Sequence, residues 1–199
     1  MEIKTQRLIL RNYRMADIED YWDYVQMKNV GPRCGWEPYT DKQKALERLL
    51  LETKKPLQFA IVEAKENKVV GSVELMTRDG MAEDIKEIGC LLSEKYWNKG
   101  IMTEAMQAII KFGFEYLDLD EIYAGYFAPN AASGKVQQKA GMKMCEVKKD
   151  FTNWYETNTP CDLIMNKITK QMYLNNPIYE NLNICINNET KKEQQNERN

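Results

Sequence analysis

The sequence predicts a single α/β (α+β) domain with a mixed, mostly antiparallel twisted sheet flanked by helices. The chain has 199 residues, of which 43% are hydrophobic, which is enough for one sizeable core but not for two full domains. Strand patterns come first, and a strand–helix–strand–helix alternation follows. Short connections join antiparallel strands and helical crossovers join parallel ones, so this order predicts a sheet of mixed direction.

The first part of the chain is predicted to form a strand, a helix, a loop and a second helix. Apolar and polar residues alternate over residues 7–13, which predicts a strand with one buried face. Asp17 is expected to cap the helix that follows. Residues 30–39 contain two glycines and two prolines and predict an irregular loop, after which residues 41–52 predict a helix. The apolar stripe of the first helix consists of Ile18, Tyr21, Trp22 and Val25.

The middle of the chain predicts a hairpin and a strand that is open to a ligand. Residues 57–63 and 69–76 read as two antiparallel strands, since the polar turn 65–68 joins them. Residues 85–92 predict a further strand, in which Gly89 indicates a bulge or a backbone left open to a ligand. The remaining elements are a helix to about residue 117, a strand at 121–127, a helix at 130–140 and strands at 142–148 and 162–168.

Residues 96–105, YWNKGIMTEA, set a short glycine-bearing turn directly before a long amphipathic helix pattern. The N–H groups of a first helical turn have no intrahelical partner, and the helix dipole places partial positive charge there. Gly100 lacks a Cβ where a ligand must approach the backbone. The segment therefore predicts a phosphate site, with an ordinary loop and helix start as the alternative.

Residues 130–142, NAASGKVQQKAGM, form a second motif of this kind. Asn130 ends a strand, Ser133 follows three residues later, and Gly141 stops a basic amphipathic helix. Taken alone, this is an N-capped helix with a glycine C-cap. Because it follows the next strand after residues 96–105, two helix starts are expected at one edge of the sheet, flanking one crevice.

Composition argues against several classes of protein. The net charge of -2 gives no global attraction to nucleic acid or to an anionic membrane. The chain lacks a membrane-spanning apolar run and its start lacks a signal-peptide pattern, which predicts a cytoplasmic protein. Histidine is absent, and the five cysteines are scattered without CxxC spacing, so neither a metal site nor a disulfide framework is expected.

Four segments of the chain match a known family in their residues, their order and their spacing. They are Thr5-Gln6-Arg7-Leu8-Ile9-Leu10-Arg11, Glu87-Ile88-Gly89, residues 97–105 and residues 130–141. Together they resemble the GNAT superfamily of acyl-CoA-dependent N-acetyltransferases, and within it the RimJ/RimL-like branch of ribosomal-protein N-acetyltransferases, which opens on T-x-R-L-x-L-R. The resemblance covers most of residues 3–168. It implies a GNAT-like domain over residues 1–168 with a splayed central strand pair, followed by a polar extension over 169–199.

The resemblance implies acetyl-CoA as acetyl donor. Its pyrophosphate would lie on the backbone amides of residues 98–103, and its pantetheine arm would pair like an extra strand along residues 89–92. Unpaired backbone groups between splayed strands suit such an arm. The residues implied to bind acetyl-CoA are Cys90, Leu91, Leu92, Trp97, Asn98, Lys99, Gly100, Ile101, Met102, Thr103, Asn130, Ser133 and Lys135.

The sequence departs from the family pattern at four positions. Asn98 stands where the branch usually has Gly, and it keeps a left-handed conformation accessible. Cys90 replaces a common Tyr and Met142 a common Phe, which we interpret as packing substitutions. Many members place a Tyr in the last helix as proton donor to the departing thiolate. Because that position is Gln137 here, the role passes to Ser133, to water or to no group.

Aminolysis of a thioester needs a neutral amine, a donor for the developing oxyanion and a proton source for the thiolate. Glu87 is the first candidate for the base, because it lies on the ligand-bearing strand and roughly matches a glutamate base of some family members. Glu74 in the neighbouring strand is the second, and either acts directly or through water. The alternative for each is a surface glutamate at a strand end. Ser133 either packs at its helix start or bonds to the CoA sulfur.

The expected acceptor is a small-molecule or peptide amine: a protein N-terminus, a polyamine, an amino sugar or a drug. Its pocket is predicted to comprise Trp22, Arg33, Trp36, Tyr39 and Glu74, although the aromatic residues also suit a cover for the core. No nucleic-acid or membrane partner is expected, and the chain is expected to be a monomer or a homodimer. A non-catalytic acyl-CoA sensor or interaction module is the alternative function.

The extension is expected to be partly disordered, because Asn, Gln, Lys and Glu dominate residues 169–199. Apolar residues between positions 173 and 186 suit docking onto the domain or onto a partner, and the sequence leaves both open.

Overall fold

The computed structural model describes residues 1–187. Its described strands form one sheet in the order β7-β8-β6-β5-β4-β3-β2-β1-β9. The strands are β1 Glu2–Lys4, β2 Leu8–Arg11, β3 Gln58–Glu63, β4 Lys68–Met76, β5 Ile85–Leu92, β6 Glu121–Phe127, β7 Lys143–Trp154, β8 Thr159–Thr169 and β9 Cys185–Asn187. The α-helices are α1 Ile18–Val25, α2 Lys42–Glu52, α3 Ile101–Tyr116, α4 Ala131–Lys139, α5 Lys170–Leu174 and α6 Pro177–Glu180.

The sheet is mixed, as predicted. β5 and β6 run parallel because the long helix α3 crosses between them, whereas the other neighbouring strands of the described sheet are antiparallel. Helices cover both faces, so the predicted fold class is confirmed. The central strands are therefore buried on both sides and read as nearly continuous apolar runs.

The central strand pair splays apart. β5 and β6 are paired only where Ile85–Glu87 lie beside Glu121–Tyr123. Beyond that point β5 keeps its antiparallel pairing with β4 as far as Leu92, and β6 keeps its pairing with β8 as far as Phe127. The facing edges of the two diverging strands therefore carry backbone groups that do not pair with each other.

Two hydrophobic clusters sandwich the sheet. α3 packs on one face, where its Phe112 meets Phe59 of β3 with ring centroids 5.9 Å apart. α1 and α2 pack on the other face, where the buried residues include Tyr24 and Leu49. Alternate residues of β3 supply the two clusters, as strand geometry requires.

Two local expectations about caps and bulges are wrong. Asp17 does not cap α1 with its side chain, because its carboxylate accepts two bonds from the Arg11 guanidinium, both 2.8 Å, and one from the Arg14 N–H. Gly89 is not a bulge, since the β4–β5 register runs unbroken from Gly71 to Met76. The other expectation for Gly89, a backbone open to a ligand, agrees with the unpaired edge of β5.

The described part of the extension docks onto the domain. Tyr173 and Tyr179 are buried, and the Tyr179 hydroxyl donates to the Ala140 carbonyl oxygen at 2.7 Å. β9 adds to the sheet beside β1. The expected disorder of the extreme C-terminus concerns residues 189–199, which lie outside the described residues. Within residues 1–187, no helix has the length and apolar character needed to cross a membrane.

Candidate functional site

A cleft of about 1590 Å³ opens where β5 and β6 diverge. Its walls include the outer half of β5, the end of β6 and the adjoining part of β4. The turn before α3 and the start of α4 both line it, so the prediction that two helix starts flank one crevice is confirmed. A ligand in this cleft meets an open strand edge along its length and helix N-termini at its sides.

The turn before α3 lines the cleft and contains two residues in the left-handed region. Asn98 and Gly100 both adopt left-handed conformations, with φ of 60° and 75°. The Trp97 indole N–H donates to the Leu92 carbonyl oxygen at 2.8 Å and thereby holds the turn against the end of β5. Asparagine tolerates this conformation better than most residues with a side chain, so Asn98 permits a left-handed turn without a glycine at that position.

The start of the chain braces this turn through Glu104 in the first turn of α3. One carboxylate oxygen of Glu104 accepts from the Thr5 hydroxyl at 2.6 Å and from the Arg7 backbone N–H at 2.9 Å. The other oxygen accepts from Arg7 Nε at 2.6 Å, while Arg7 Nη1 donates to the Lys99 carbonyl oxygen at 3.0 Å. The T-x-R opening and the helix-start motif therefore form one structural unit.

The start of α4 carries Ser133 above a buried polar network. Gln137 Nε2 donates to Ser133 Oγ at 3.3 Å, and Asn166 Nδ2 donates to Gln137 Oε1 at 2.7 Å. Gln137 and Asn166 are both buried. Because the bond from Gln137 occupies a lone pair of Ser133 Oγ, it leaves the hydroxyl hydrogen for donation into the cleft.

Two glutamates face the cleft in different states of pairing. Glu87 is held by Arg78, with distances of 2.9 Å from Nη2 to Oε1 and 3.2 Å from Nε to Oε2, and this pairing raises the pKa of Arg78. Glu74 Oε2 lies 3.4 Å from Lys55 Nζ. Glu74 Oε1 lies over Gly89, where it would be 2.9 Å from a Cβ added to that glycine. The missing side chain at position 89 therefore makes room for the Glu74 carboxylate beside the open edge of β5.

The loop between α1 and α2 forms a further part of the cleft wall. Arg33 stacks its guanidinium 5.3 Å from the Trp97 ring centroid, and its carbonyl oxygen accepts from Asn130 Nδ2 at 3.3 Å. Cys34 Sγ donates to the Cys90 carbonyl oxygen at 3.6 Å. Desolvation, the largest cause, raises the pKa of the Cys90 thiol to about 12, so this thiol is neutral near pH 7.

A family model described as an acetyltransferase (GNAT) domain matches residues 7–143, more than half of the chain. The chain belongs to the GNAT acetyltransferase family. The fold and the family together identify an acetyl-CoA-dependent acetyltransferase, so the predictions of enzyme class and superfamily are confirmed.

The chain is also similar to individual proteins and solved structures. The chain is 27% identical to the uncharacterized N-acetyltransferase YnaD of Bacillus subtilis over 143 residues, which cover 72% of this chain and 83% of YnaD. A GNAT acetyltransferase structure from Bacillus anthracis superposes with a TM-score of 0.78 at 27% identity, covering 86% of this chain and 99% of that one. A Vibrio cholerae spermidine N-acetyltransferase, in complex with CoA and spermine, shares the fold at 18% identity with a TM-score of 0.71, covering 85% and 99% of the two chains.

The acetyltransferase brings most of the predicted site residues together. Those that line the cleft are Arg33, Trp36, Tyr39, Glu74, Glu87, Cys90, Leu91, Leu92, Trp97, Asn98, Gly100, Ile101, Met102, Thr103, Asn130, Ser133 and Lys135. Two are not among the lining residues. Trp22 is partly buried against the hydrophobic cluster between α1 and the sheet, whereas the residue before it, Tyr21, lines the cleft. The Lys99 ammonium lies 4.8 Å from the Tyr96 ring centroid.

Three cleft residues escaped the sequence analysis. Gln58 is only 4% exposed and lies beside Glu74 in the β3–β4 register. Arg78 pairs with Glu87, and the Tyr126 ring packs where a side chain at Gly134 would otherwise lie. The sequence offered no signal for Gln58, because its place beside Glu74 depends on a register shift between Ile61 and Val62 that the hairpin pattern does not show. Among residues 1–187, no group of three or more His, Cys, Asp or Glu side chains is arranged to hold a metal ion.

Proposed function

We propose that this acetyltransferase transfers the acetyl group of acetyl-CoA to a primary amine by direct attack in a ternary complex. The observation that carries the proposal is the open edge of β5, with the amide-rich turn of residues 98–103 at one end and the Glu74 carboxylate over Gly89 beside it. Along this line the helix start suits the pyrophosphate anion, the open strand edge suits the amides of the pantetheine arm, and the Glu74 carboxylate suits the reacting amine.

Acetyl-CoA fits the described residues. The first turn of α3 offers backbone N–H groups to the pyrophosphate, and Lys135 adds positive charge on the opposite wall. The edge of β5 from Gly89 to Leu92 offers backbone groups to the pantetheine amides. The Cys34 thiol donates a weak hydrogen bond to the Cys90 carbonyl oxygen. A pantetheine N–H would replace this weak bond at little cost.

Glu74 is the better candidate for the base. Both oxygens of Glu87 are engaged by Arg78, so proton acceptance at Glu87 would break a bidentate ion pair. Glu74 is held through Oε2 by Lys55 at 3.4 Å, and its Oε1 points over the open strand. Amine binding at this edge would place the N–H within reach of Glu74 Oε1, directly or through one water.

Ser133 is the proposed proton source for the departing thiolate. The Asn166–Gln137–Ser133 chain of hydrogen bonds fixes the orientation of its Oγ. Tyr126 also lines this wall, and it provides the comparison that decides the role. Ser133→Ala should slow turnover more than Tyr126→Phe does. A larger effect of Tyr126→Phe would transfer the role to the phenol.

The cleft residues around the proposed acceptor site favour an amine that carries no further positive charge. The carboxylates lining the cleft are Glu52, Glu74 and Glu87, and each already contacts a cation of this chain. A polyamine needs unpaired carboxylates for its additional ammonium groups. Arg33, Trp36 and Tyr39 supply a mainly aromatic wall.

A peptide α-amine meets these requirements, and we place the chain in the RimJ/RimL-like branch. The branch motif Thr5-x-Arg7 supports this, since it braces the cofactor turn through Glu104. We also propose a cytoplasmic enzyme, monomeric or homodimeric, with its catalytic domain in residues 1–168. A sensor without catalysis is not favoured, because its ligand would not need Glu74 at the open edge.

A thiol-release assay with acetyl-CoA and a panel of amines tests the function. Alanine- and serine-initiated peptides should be acetylated faster than spermidine, and Glu74→Gln should lower kcat by about 10²–10⁴-fold. Glu87→Gln is the matched control. Faster turnover of spermidine would overturn the acceptor assignment, and an acetylated enzyme detected by intact mass would overturn direct attack.

A further inference from the structure

Gln58 holds a buried polar atom that the fold does not use. The residue is 4% exposed, and its Oε1 has no hydrogen-bond partner within residues 1–187. Its neighbours on the same face of β3 are the apolar Ala60 and Val62. A buried acceptor without a donor costs stability, and an apolar side chain of the same size would avoid that cost.

Gln58 lies in one row with the proposed base. Gln58 is the cross-strand partner of Glu74, and Glu74 is the cross-strand partner of Gly89 on the ligand-bearing strand. Directly paired residues point to the same face of a sheet, so the Gln58 amide and the Glu74 carboxylate stand side by side on the cleft wall. Gln58 and Glu74 therefore both belong to the part of the cleft wall next to Gly89.

We propose that Gln58 Oε1 accepts a hydrogen bond from the attacking amine and makes the enzyme selective for primary amines. The inference rests on the proposed acetyl transfer. A neutral primary amine has one lone pair and two N–H groups. The lone pair attacks the thioester carbonyl, one N–H faces Glu74 and the other faces Gln58.

A secondary amine lacks one of these N–H groups. Its second carbon substituent would lie against one of the two oxygens and leave that oxygen unpaired in the complex. Sites built to hydrogen-bond a substrate N–H discriminate strongly against analogues that lack it. We therefore expect kcat/KM for an N-methylated acceptor to be at least about 100-fold below that of its primary counterpart.

Gln58→Met tests the role, because methionine keeps the length of the side chain and removes the acceptor oxygen. The probes are the peptide Ala-Gly-Phe with its N-methylated form, and benzylamine with N-methylbenzylamine. In the variant, the preference for the primary amine should fall below about tenfold, and KM for the primary amine should rise while KM for acetyl-CoA holds. An equal preference in variant and wild type would overturn the proposal.

The thermal midpoint gives a second readout that needs no acceptor. Removal of an unpaired buried oxygen should leave the Tm of Gln58→Met unchanged or raise it by about 2–4 °C. Gln43→Met, at an exposed position in α2, is the matched control. A clear fall in Tm specific to Gln58→Met would show that the fold needs the amide and would overturn the proposal. If the wild type acetylates none of the probes, the proposed transfer has failed for them, and the role proposed for Gln58 is overturned with it.

Discussion

Gly89→Ala tests whether the Glu74 carboxylate acts over the open strand. A Cβ at position 89 would lie 2.9 Å from Glu74 Oε1 and 3.2 Å from Glu74 Cγ, and it would also crowd Met76 Cε. Ordinary contacts lie near about 3.5 Å, so the carboxylate must move by roughly 0.5 Å. Catalytic groups must be held within about 0.5 Å of the productive geometry, and a displacement of 1 Å costs about 100-fold, so this shift lies at the limit.

The expected result is a fall of about tenfold in kcat, equivalent to about 1.4 kcal/mol, with little change in KM for acetyl-CoA. Stability should change less, because both crowded groups are flexible side-chain ends and alanine reduces the entropy of the unfolded chain. A Tm shift within about 4 °C is expected. Gly113→Ala is the matched control, since its Cβ would meet the Ile122 and Leu119 side chains at 2.8 and 3.1 Å, and Gly113 is not among the residues that line the cleft.

A double-mutant cycle isolates the mechanism. In a Glu74→Gln background the proton acceptor is already lost, so Gly89→Ala should change kcat by less than about twofold. Steady-state thiol release at saturating acetyl-CoA gives all four values. A full tenfold effect of Gly89→Ala without Glu74, or an unchanged kcat in the single variant, would refute the placement of the base.

Three further predictions concern other parts of the molecule. Glu87→Gln should lower kcat by no more than about threefold in the thiol-release assay, and a loss beyond about 100-fold would identify Glu87 rather than Glu74 as the base. Ser133→Ala should lower kcat about 100-fold at unchanged KM for acetyl-CoA, and equal losses in turnover and affinity would exclude a proton-donor role. Hydrogen bonding from Lys167, the largest cause, lowers the pKa of Glu121, so their pairing stabilises the fold above the unfolded-state pKa and is lost as pH falls through the folded one. Lys167→Met should therefore lower Tm at pH 7, and its Tm should approach that of the wild type once the pH falls below the folded-state pKa of Glu121. A pH-independent difference in thermal scans would contradict this.

Elements set by local patterns were predictable from the sequence. The hairpin of β3 and β4 and the long helix α3 follow from apolar periodicity and from turn residues within a few positions. The turn of residues 97–100 was predictable for the same reason, since a glycine before an amphipathic helix is a local signal. Asn98 kept the left-handed geometry because its short polar side chain permits it.

Roles set by long-range contacts were not predictable. Strand position and a rough match to a glutamate of some family members ranked Glu87 above Glu74. The Arg78 ion pair of Glu87 and the position of Glu74 over Gly89 support the opposite order that we propose. Asp17 had the residue type of a cap, but the neighbouring Arg11 captured its carboxylate. Trp22 has a residue type that is common in binding pockets, but its position on α1 places its side chain against the hydrophobic cluster. The sequence shows the type of each residue and the helix or strand that it belongs to. The surroundings of these three side chains depend instead on which charged or apolar partner packs against each of them in the fold.

The central claim is that the cleft transfers acetyl groups from acetyl-CoA to an amine. The most direct measurement mixes the enzyme with acetyl-CoA and an alanine-initiated peptide, and follows free CoA thiol together with acetylated peptide by mass spectrometry. We predict one acetylated peptide for each thiol released, with little release when the peptide is omitted. Tight binding of acetyl-CoA without amine-dependent release for any amine of the panel would contradict the claim and would favour an acyl-CoA sensor.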